Sequence, residues 1–277
     1  MKFKKGDIVG RLSYNKDIIF VISKIIKYKN QEIAILKGLI TRIEADSPLY
    51  DLELIENETI IQLLEIFNKE IERRKNILNI QTSGFKRNRE YYGRILHLDG
   101  DKKYSEKSQR FYRNMGLDVV VKNIPENRQP QMIYSLLNKY NPDILVVTGH
   151  DGMIKKGYNY NDIYNYRNSK YFVETVIRAR KWEQGANKLS IFAGACQSYY
   201  EAIMEAGANF ASSPARILID FKDPLIVAEK IATTDSNKYI TIENIKDELR
   251  DGENGISGIG SIGKKRTPWN FYYINLY

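Results

Sequence analysis

One cysteine, Cys196, and two histidines, His97 and His150, are all the cysteine and histidine in 277 residues. A lone thiol excludes an internal disulfide, and so few ligands do not make a structural zinc site. Long hydrophobic runs are missing as well. No stretch approaches the roughly eighteen consecutive apolar residues that a spanning helix needs, so no membrane insertion is expected. The opening segment "MKFKKGDIVGRLSYNKD" is charged where a signal peptide keeps its apolar stretch, which makes a soluble, cytoplasmic chain the expectation. Nor does charge single out a partner. The formal net charge is +9, but Lys and Arg are interspersed among 34 acidic residues, so nucleic acid is not a favoured partner.

What is present is ample material for a core, 43% hydrophobic and 12% aromatic. Residues 1–55 read as short strands, "DIVGRLSY", "DIIFVISKIIKY", "QEIAILKGL" and "LYDLELI", broken by Asn, Asp, Gly and Lys. The expectation is a small SH3-like β-barrel. From Glu56 to about Leu78 apolar residues recur at helical spacing, among them Ile60, Leu63, Leu64 and Phe67. The stretch "NIQTSGFKRNREYYG" then reads as an exposed linker, so 56–91 is a connecting helix and linker.

From 92 to 277 the texture changes to apolar strands alternating with helices. "GRILHLDGD", "LDVVVKNI", "DILVVTG" and "KLSIFAGA" are predicted strands; "YSEKSQRFYRNMG", "QPQMIYSLLNKY", "SKYFVETVIRARKWEQG" and "QSYYEAIMEAG" are predicted helices. Near-continuous Val, Ile and Leu runs separated by helices imply an α/β fold, a parallel sheet covered by helices on both faces. In such sheets ligands collect beyond the carboxyl ends of the strands.

Two of those ends carry reactive side chains. "DILVVTGHDG" delivers His150 and "LSIFAGACQS" delivers Cys196, each after small residues that leave room for a substrate backbone. A thiol attacks a carbonyl as thiolate, and an imidazole beside it supplies the base. The helix expected directly after Cys196 would add N–H groups that stabilise negative charge. A single cysteine in an apolar strand is more often a small buried hydrophobe, so the residues alone point to a Cys-His hydrolase or to a buried structural thiol. A non-enzymatic binding protein is the alternative of a different class.

The histidine lies upstream of the cysteine by roughly fifty residues, and the cysteine sits in "AGACQS"; this resembles the caspase-like clan of cysteine peptidases. Over nearly its whole length the chain is similar to the YabG family of sporulation peptidases. The segments that carry this are "MKFKKGDIVGRLSYNKDIIF", "GRILHLDGD", "YNPDILVVTGHDG", "FAGACQSYYEAI", "GANFASSPARI" and "GIGSIGKKR". The resemblance implies a protease of the sporulating mother cell that trims spore coat and cortex-related proteins, associates with the coat and cuts at or near arginine. It implies no cofactor and no metal, with His150 and Cys196 as the catalytic pair. The alternative then becomes a non-enzymatic spore-coat assembly or binding protein. Backbone N–H groups of Cys196 and Gly152 are the expected oxyanion donors. Many clan members have Gly directly after the histidine, whereas here Asp151 intervenes. The carboxylate that some arginine-cutting members place two residues before the nucleophile is Gly194 here, leaving Asp151, Asp220 and Asp223 as candidate substrate-binding acids.

Other features fit less well. G-x-G-x-x-G at Gly258, Gly260 and Gly263 lacks the strand and helix that a nucleotide fingerprint needs; a flexible loop is expected, with "GKKR" a candidate self-cleavage site. "LHLDGD" places His97, Asp99 and Asp101 at a strand end, where the acids either orient the catalytic histidine, bind a cation or simply form a capping turn beside a core histidine. Trp182, Tyr160 and "GYNYNDIYNYRNSKY" are expected to form an aromatic loop after His150, either a lid or an ordered surface loop.

Overall fold

Alternation of apolar and polar residues with period two draws the amino-terminal chain into strands. They are β1 (Ile8–Arg11), β2 (Ile19–Tyr28), β3 (Gln31–Gly38), β4 (Glu44–Pro48) and β5 (Leu52–Leu54), in the order β4-β3-β2-β1-β5 with every neighbour antiparallel. Tyr28 pairs with Gln31 across a two-residue turn, and both turn residues, Lys29 and Asn30, have positive φ of 46° and 63°, as a hairpin matched to strand twist requires. Phe20 and Ile22 of β2 and Ala34 and Leu36 of β3 are fully buried on one face. β4 escapes the sequence reading because "EADSP" has poor strand propensity; its pairing with β3 overrides that.

Helix α1 follows, with described helical residues 57–66. A computed structural model of the chain describes residues 3–66, 69, 91–154, 159–183 and 188–266. The remainder of the expected connecting helix and most of the linker lie outside the described residues. The chain divides into two units, Met1–Phe85 and Lys86–Tyr277.

In the second unit β6 (Ile95–Asp99), α2 (Lys102–Asn114), β7 (Val119–Asn123), α3 (Gln129–Tyr140), β8 (Ile144–Thr148), α4 (Ser169–Trp182), β9 (Ser190–Ala193), α5 (Tyr200–Glu205) and β10 (Phe210–Ser212) alternate along the chain. They are followed by α6 (Asp223–Thr233), β11 (Tyr239–Ile240), α7 (Gly252–Gly255), β12 (Ile256–Gly258) and β13 (Ser261–Ile262). The main sheet runs β7-β6-β8-β9-β10-β12, parallel until β12, which is antiparallel to β10. This is an α/β unit. Every residue of β6, β8 and β9 is buried, because helices cover both sides of the sheet. Leu96, Leu98, Leu145, Val147 and Ile191 join Phe172 of α4 and Ile133 of α3 in one core cluster. The alternate residues face the other way, where Tyr112 of α2 bonds His97.

Three expectations are corrected here. The glycine-rich segment is not a loop: Gly258 pairs with Phe210, and Ser261 and Ile262 pair with Ile240 and Tyr239. "GKKR" is pinned by backbone bonds from Gly263, Lys264, Lys265 and Arg266 to Lys238, Ile231, Thr234 and Tyr91. α5 does not open at Cys196 but at Tyr200, and it is six residues long, so its dipole gives the thiol little. Trp182 is not in the tyrosine-rich loop: it ends α4, and its indole N–H donates to Asn138 of α3 at 2.6 Å.

Candidate active site

Register fixes the order in which residues leave the carboxyl edge of the sheet. Asp99 of β6 pairs with Thr148 of β8, and Val147 of β8 pairs with Ala193 of β9. Asp101 and His150 each lie two residues past the first pair, and His150 and Cys196 each lie three residues past the second. Neighbouring strands are about 4.8 Å apart, so a carboxylate, an imidazole and a thiol leave three adjacent strands in sequence across the edge. Asp101 Oδ2 stands 3.9 Å from His150 Nε2.

The imidazole is held by its own backbone. The His150 N–H donates to Glu126 Oε1 at 2.7 Å, and its carbonyl accepts from Asn168 Nδ2 at 2.8 Å. The Tyr104 ring meets it edge-on, 6.0 Å between centroids. The Cys196 Sγ lies against the backbone of Ile219, whose N–H donates to it at 3.4 Å and whose carbonyl is 3.8 Å away. Both His150 and Cys196 are fully buried.

Glu126 was not anticipated, although the sequence carries a trace of it. The chain places Gly100 and Gly149 one residue past the same register pair, Asp99 and Thr148. A Cβ on Gly100 would lie 2.1 Å from the Glu126 carboxylate, and one on Gly149 2.4 Å from it. The two glycines therefore make the cradle that lets this buried carboxylate reach the His150 amide. Gly149→Ala is expected to cost about 1–3 kcal/mol, as overpacking does, read as a lower midpoint in urea unfolding.

Asp151 ties the edge together. Its Oδ1 accepts from the backbone N–H of Gly152 at 2.9 Å and of Asn168 at 2.8 Å; its Oδ2 accepts from Ser169 Oγ at 2.5 Å and Ser198 Oγ at 2.9 Å. Ser169 Oγ in turn accepts from the Tyr199 N–H. The segment after β8, the start of α4 and the turn after β9 thus share one carboxylate, and the Gly152 amide is one of its four donors. Burial pushes the Asp151 carboxyl up to about 6, against the lowering effect of its donors.

The other expected acids differ in setting. Asp223 is fully buried and accepts from the N–H groups of Asp220 and Arg250. Asp220 follows Ile219 directly, accepts from the Lys222 N–H, and has a side chain 15% exposed with Oδ2 3.8 Å from Lys222 Nζ. At Gly194 a carboxylate has no room: φ is +112° and a Cβ would meet Ser212 Oγ at 2.5 Å. His97 is a core histidine. Thr148 Oγ1 gives its single proton to Asp99 Oδ2 at 2.8 Å, so His97 Nε2, 2.7 Å from the same oxygen, is the donor there.

Fold and edge together define an α/β protein whose candidate site offers a thiol, an imidazole and a carboxylate, the side chains of hydrolytic chemistry. Comparison with known proteins narrows this. The model of a family described as YabG peptidase U57 matches residues 4–269. A protein of Bacillus subtilis (strain 168) described as "Sporulation-specific protease YabG" is 37% identical over 282 residues, which cover 96% of this chain and 97% of the relative. The chain belongs to the YabG peptidase U57 family, and its activity class is that of a sporulation protease. No solved structure matches it. Among the described residues no helix is long and apolar enough to cross a membrane.

Proposed function

We propose that the chain is a cysteine endopeptidase with Cys196 and His150 as its catalytic pair. The observation that carries this reading is the β8–β9 register, which sets both residues at the same distance past paired positions on adjacent parallel strands. Cys196, its proton passed to His150, attacks the scissile carbonyl carbon as thiolate. The Cys196 N–H holds the resulting oxyanion. Collapse breaks the C–N bond, His150 protonates the departing amine, and a thioester remains. Water, deprotonated by His150, cleaves the thioester and restores the thiol. For Gly152 to serve as second oxyanion donor, its N–H must exchange Asp151 Oδ1 for the substrate oxygen.

The strand order β7-β6-β8-β9-β10-β12 with the last strand reversed supports a caspase-like arrangement for the second unit, and the five antiparallel strands support an SH3-like module for the first. In this reading the substrates are spore coat and cortex-related proteins cut at or near arginine in the mother cell, the enzyme associates with the coat, and neither cofactor nor nucleic acid takes part. Asp220, the most exposed of the three and next to the residue that touches the thiol, is the arginine-binding acid; Asp151 and Asp223 serve the backbone. Substrate reaches the fully buried Cys196 only when the segment around residues 217–219 moves. Its anchors are the Gln197 N–H on the Ile217 carbonyl, Ser213 Oγ on that same carbonyl and Arg250 on the Leu218 carbonyl.

That burial favours a second reading, a coat-binding protein without turnover. An arginyl chloromethyl ketone separates the two. The expected result is one adduct per chain on Cys196, found by peptide mass mapping, and none in His150→Ala. A thiol that reacts only in denaturant, in protein that binds coat components, would give the answer to the binding reading.

A further inference from the structure

We propose that Asp101 is the positioning residue of His150, a carboxylate that fixes the imidazole and favours its charged form after the thiol has given up its proton. This rests on the reading of His150 and Cys196 as the catalytic pair. Asp101 is the N-cap of α2, and its Oδ1 accepts from the N–H groups of Lys103 at 2.8 Å and Tyr104 at 3.2 Å. Its main chain is fixed as well: its N–H donates to Asp99 Oδ1 at 2.8 Å, and its carbonyl accepts from Ser105 Oγ at 2.8 Å. With one oxygen committed to the cap, the plane of the carboxylate is set, and the other oxygen is the one that faces His150 Nε2 at 3.9 Å.

That separation is long for a direct hydrogen bond and suited to a charge pair that tightens when the imidazole becomes cationic, as catalytic contacts do on going to the complex. Nε2 turned to Asp101 leaves Nδ1 to exchange the proton with Cys196. The acid behind Asp101 is itself anchored, because Asp99 Oδ2 accepts from Thr148 Oγ1 and its Oδ1 holds the Asp101 amide. A helix cap, a strand end and a buried network therefore aim one oxygen at one nitrogen.

Other described groups near His150 have roles of their own. Glu126 is engaged with the His150 main-chain N–H, and Asp151 with its four donors. Tyr104 presents its ring, over which Lys107 Nζ sits at 5.7 Å. Cys196, past the end of β9, is the proton's source.

Asp101→Asn and Asp101→Ser test the proposal, since Asn and Ser cap a helix about as well as Asp while carrying no charge. With both variants melting within a few degrees of the parent, kcat/KM is expected to fall about 10-fold or more and the acidic limb of its pH profile to move to lower pH, because an imidazolium that loses its anion deprotonates more readily. NMR titration of the two histidines in a Cys196→Ala background reads the same displacement without activity. His150 should move to lower pH when Asp101 is neutralised, and His97 should stay. This readout stands even if the peptidase reading fails, so the two failures are distinguishable. An unmoved His150 titration together with an unmoved pH profile overturns the proposal. So does the failure of both cap-preserving variants to fold, which would make Asp101 a residue of the helix alone.

Discussion

Cys196→Ala is expected to abolish peptide hydrolysis while the fold survives. Removing the nucleophile of a catalytic pair typically costs about 10⁴-fold or more in kcat, since the remaining binding groups cannot form the covalent intermediate. The fold should tolerate the change. Cys196 Sγ meets the N–H and carbonyl of Ile219, and losing one buried sulfur amounts to a small cavity, roughly 1 kcal/mol. Cys196→Ser is the sharper control. It keeps a donor and acceptor at the same spot, yet a hydroxyl lacks the acidity and softness of a thiol, so hydrolysis should fall about as far as in the alanine variant. His150→Gln, which keeps the backbone bonds to Glu126 and Asn168, should match it because no base remains. Hydrolysis of an arginyl reporter peptide and of an isolated coat protein measures all three, with the thermal transition as the test of folding. Residual rates within about 10-fold of the parent would remove Cys196 from the mechanism if seen in Cys196→Ala, and His150 if seen in His150→Gln.

Why these residues stood out in the sequence is a matter of what periodicity encodes. Continuous apolar runs such as "ILVV" and "SIFA" are legible as buried parallel strands because both faces must be covered, and whatever follows such a run lies at the carboxyl edge. That argument is what makes His150 and Cys196 candidates. Long-range relations were not legible. Glu126 reaches the His150 amide only because Gly100 and Gly149 come side by side when β6 pairs with β8, and nothing local to "PENRQP" announces this. Ile219 against Cys196 is likewise a contact across 23 residues of chain. Short strands were missed for a related reason. Phe210–Ser212 and Ile256–Gly258 are three residues each, stabilised by pairing with their neighbours rather than by their own propensity, and Gly258 disguises the second as a loop. Asp101 was legible as an acid at a strand end; that its second oxygen faces His150 required the cap geometry of α2.

Asp151→Ala is expected to cost the most stability of any single change at this edge, about 3–5 kcal/mol, in the range seen when the partner of buried polar groups is removed. Two backbone N–H groups and two hydroxyls lose their acceptor at once. Asp151→Asn should be far milder. Its carbonyl oxygen can keep the Gly152 and Asn168 amides while its amide nitrogen faces Ser169 and Ser198, whose hydroxyls accept as well as donate. The pair of variants also isolates a pH effect. Burial raises the Asp151 carboxyl from 3.8 to about 6 in the folded protein, so between those values the folded state binds the proton and the unfolded state does not. By linkage, stability falls as pH rises through that window. The contribution is fully present below about pH 3.8, lost by the time pH has passed about 6, and on the order of 3 kcal/mol at most. Asp151→Asn cannot ionise and lacks the effect. Urea unfolding of parent and variant from pH 4 to 7.5 should therefore show the parent losing stability relative to Asp151→Asn as pH rises, with the difference levelling above about 6. A difference that stays flat would mean that the four donors just offset burial, and one that grows in the parent's favour would mean that they outweigh it and that the folded state prefers the carboxylate.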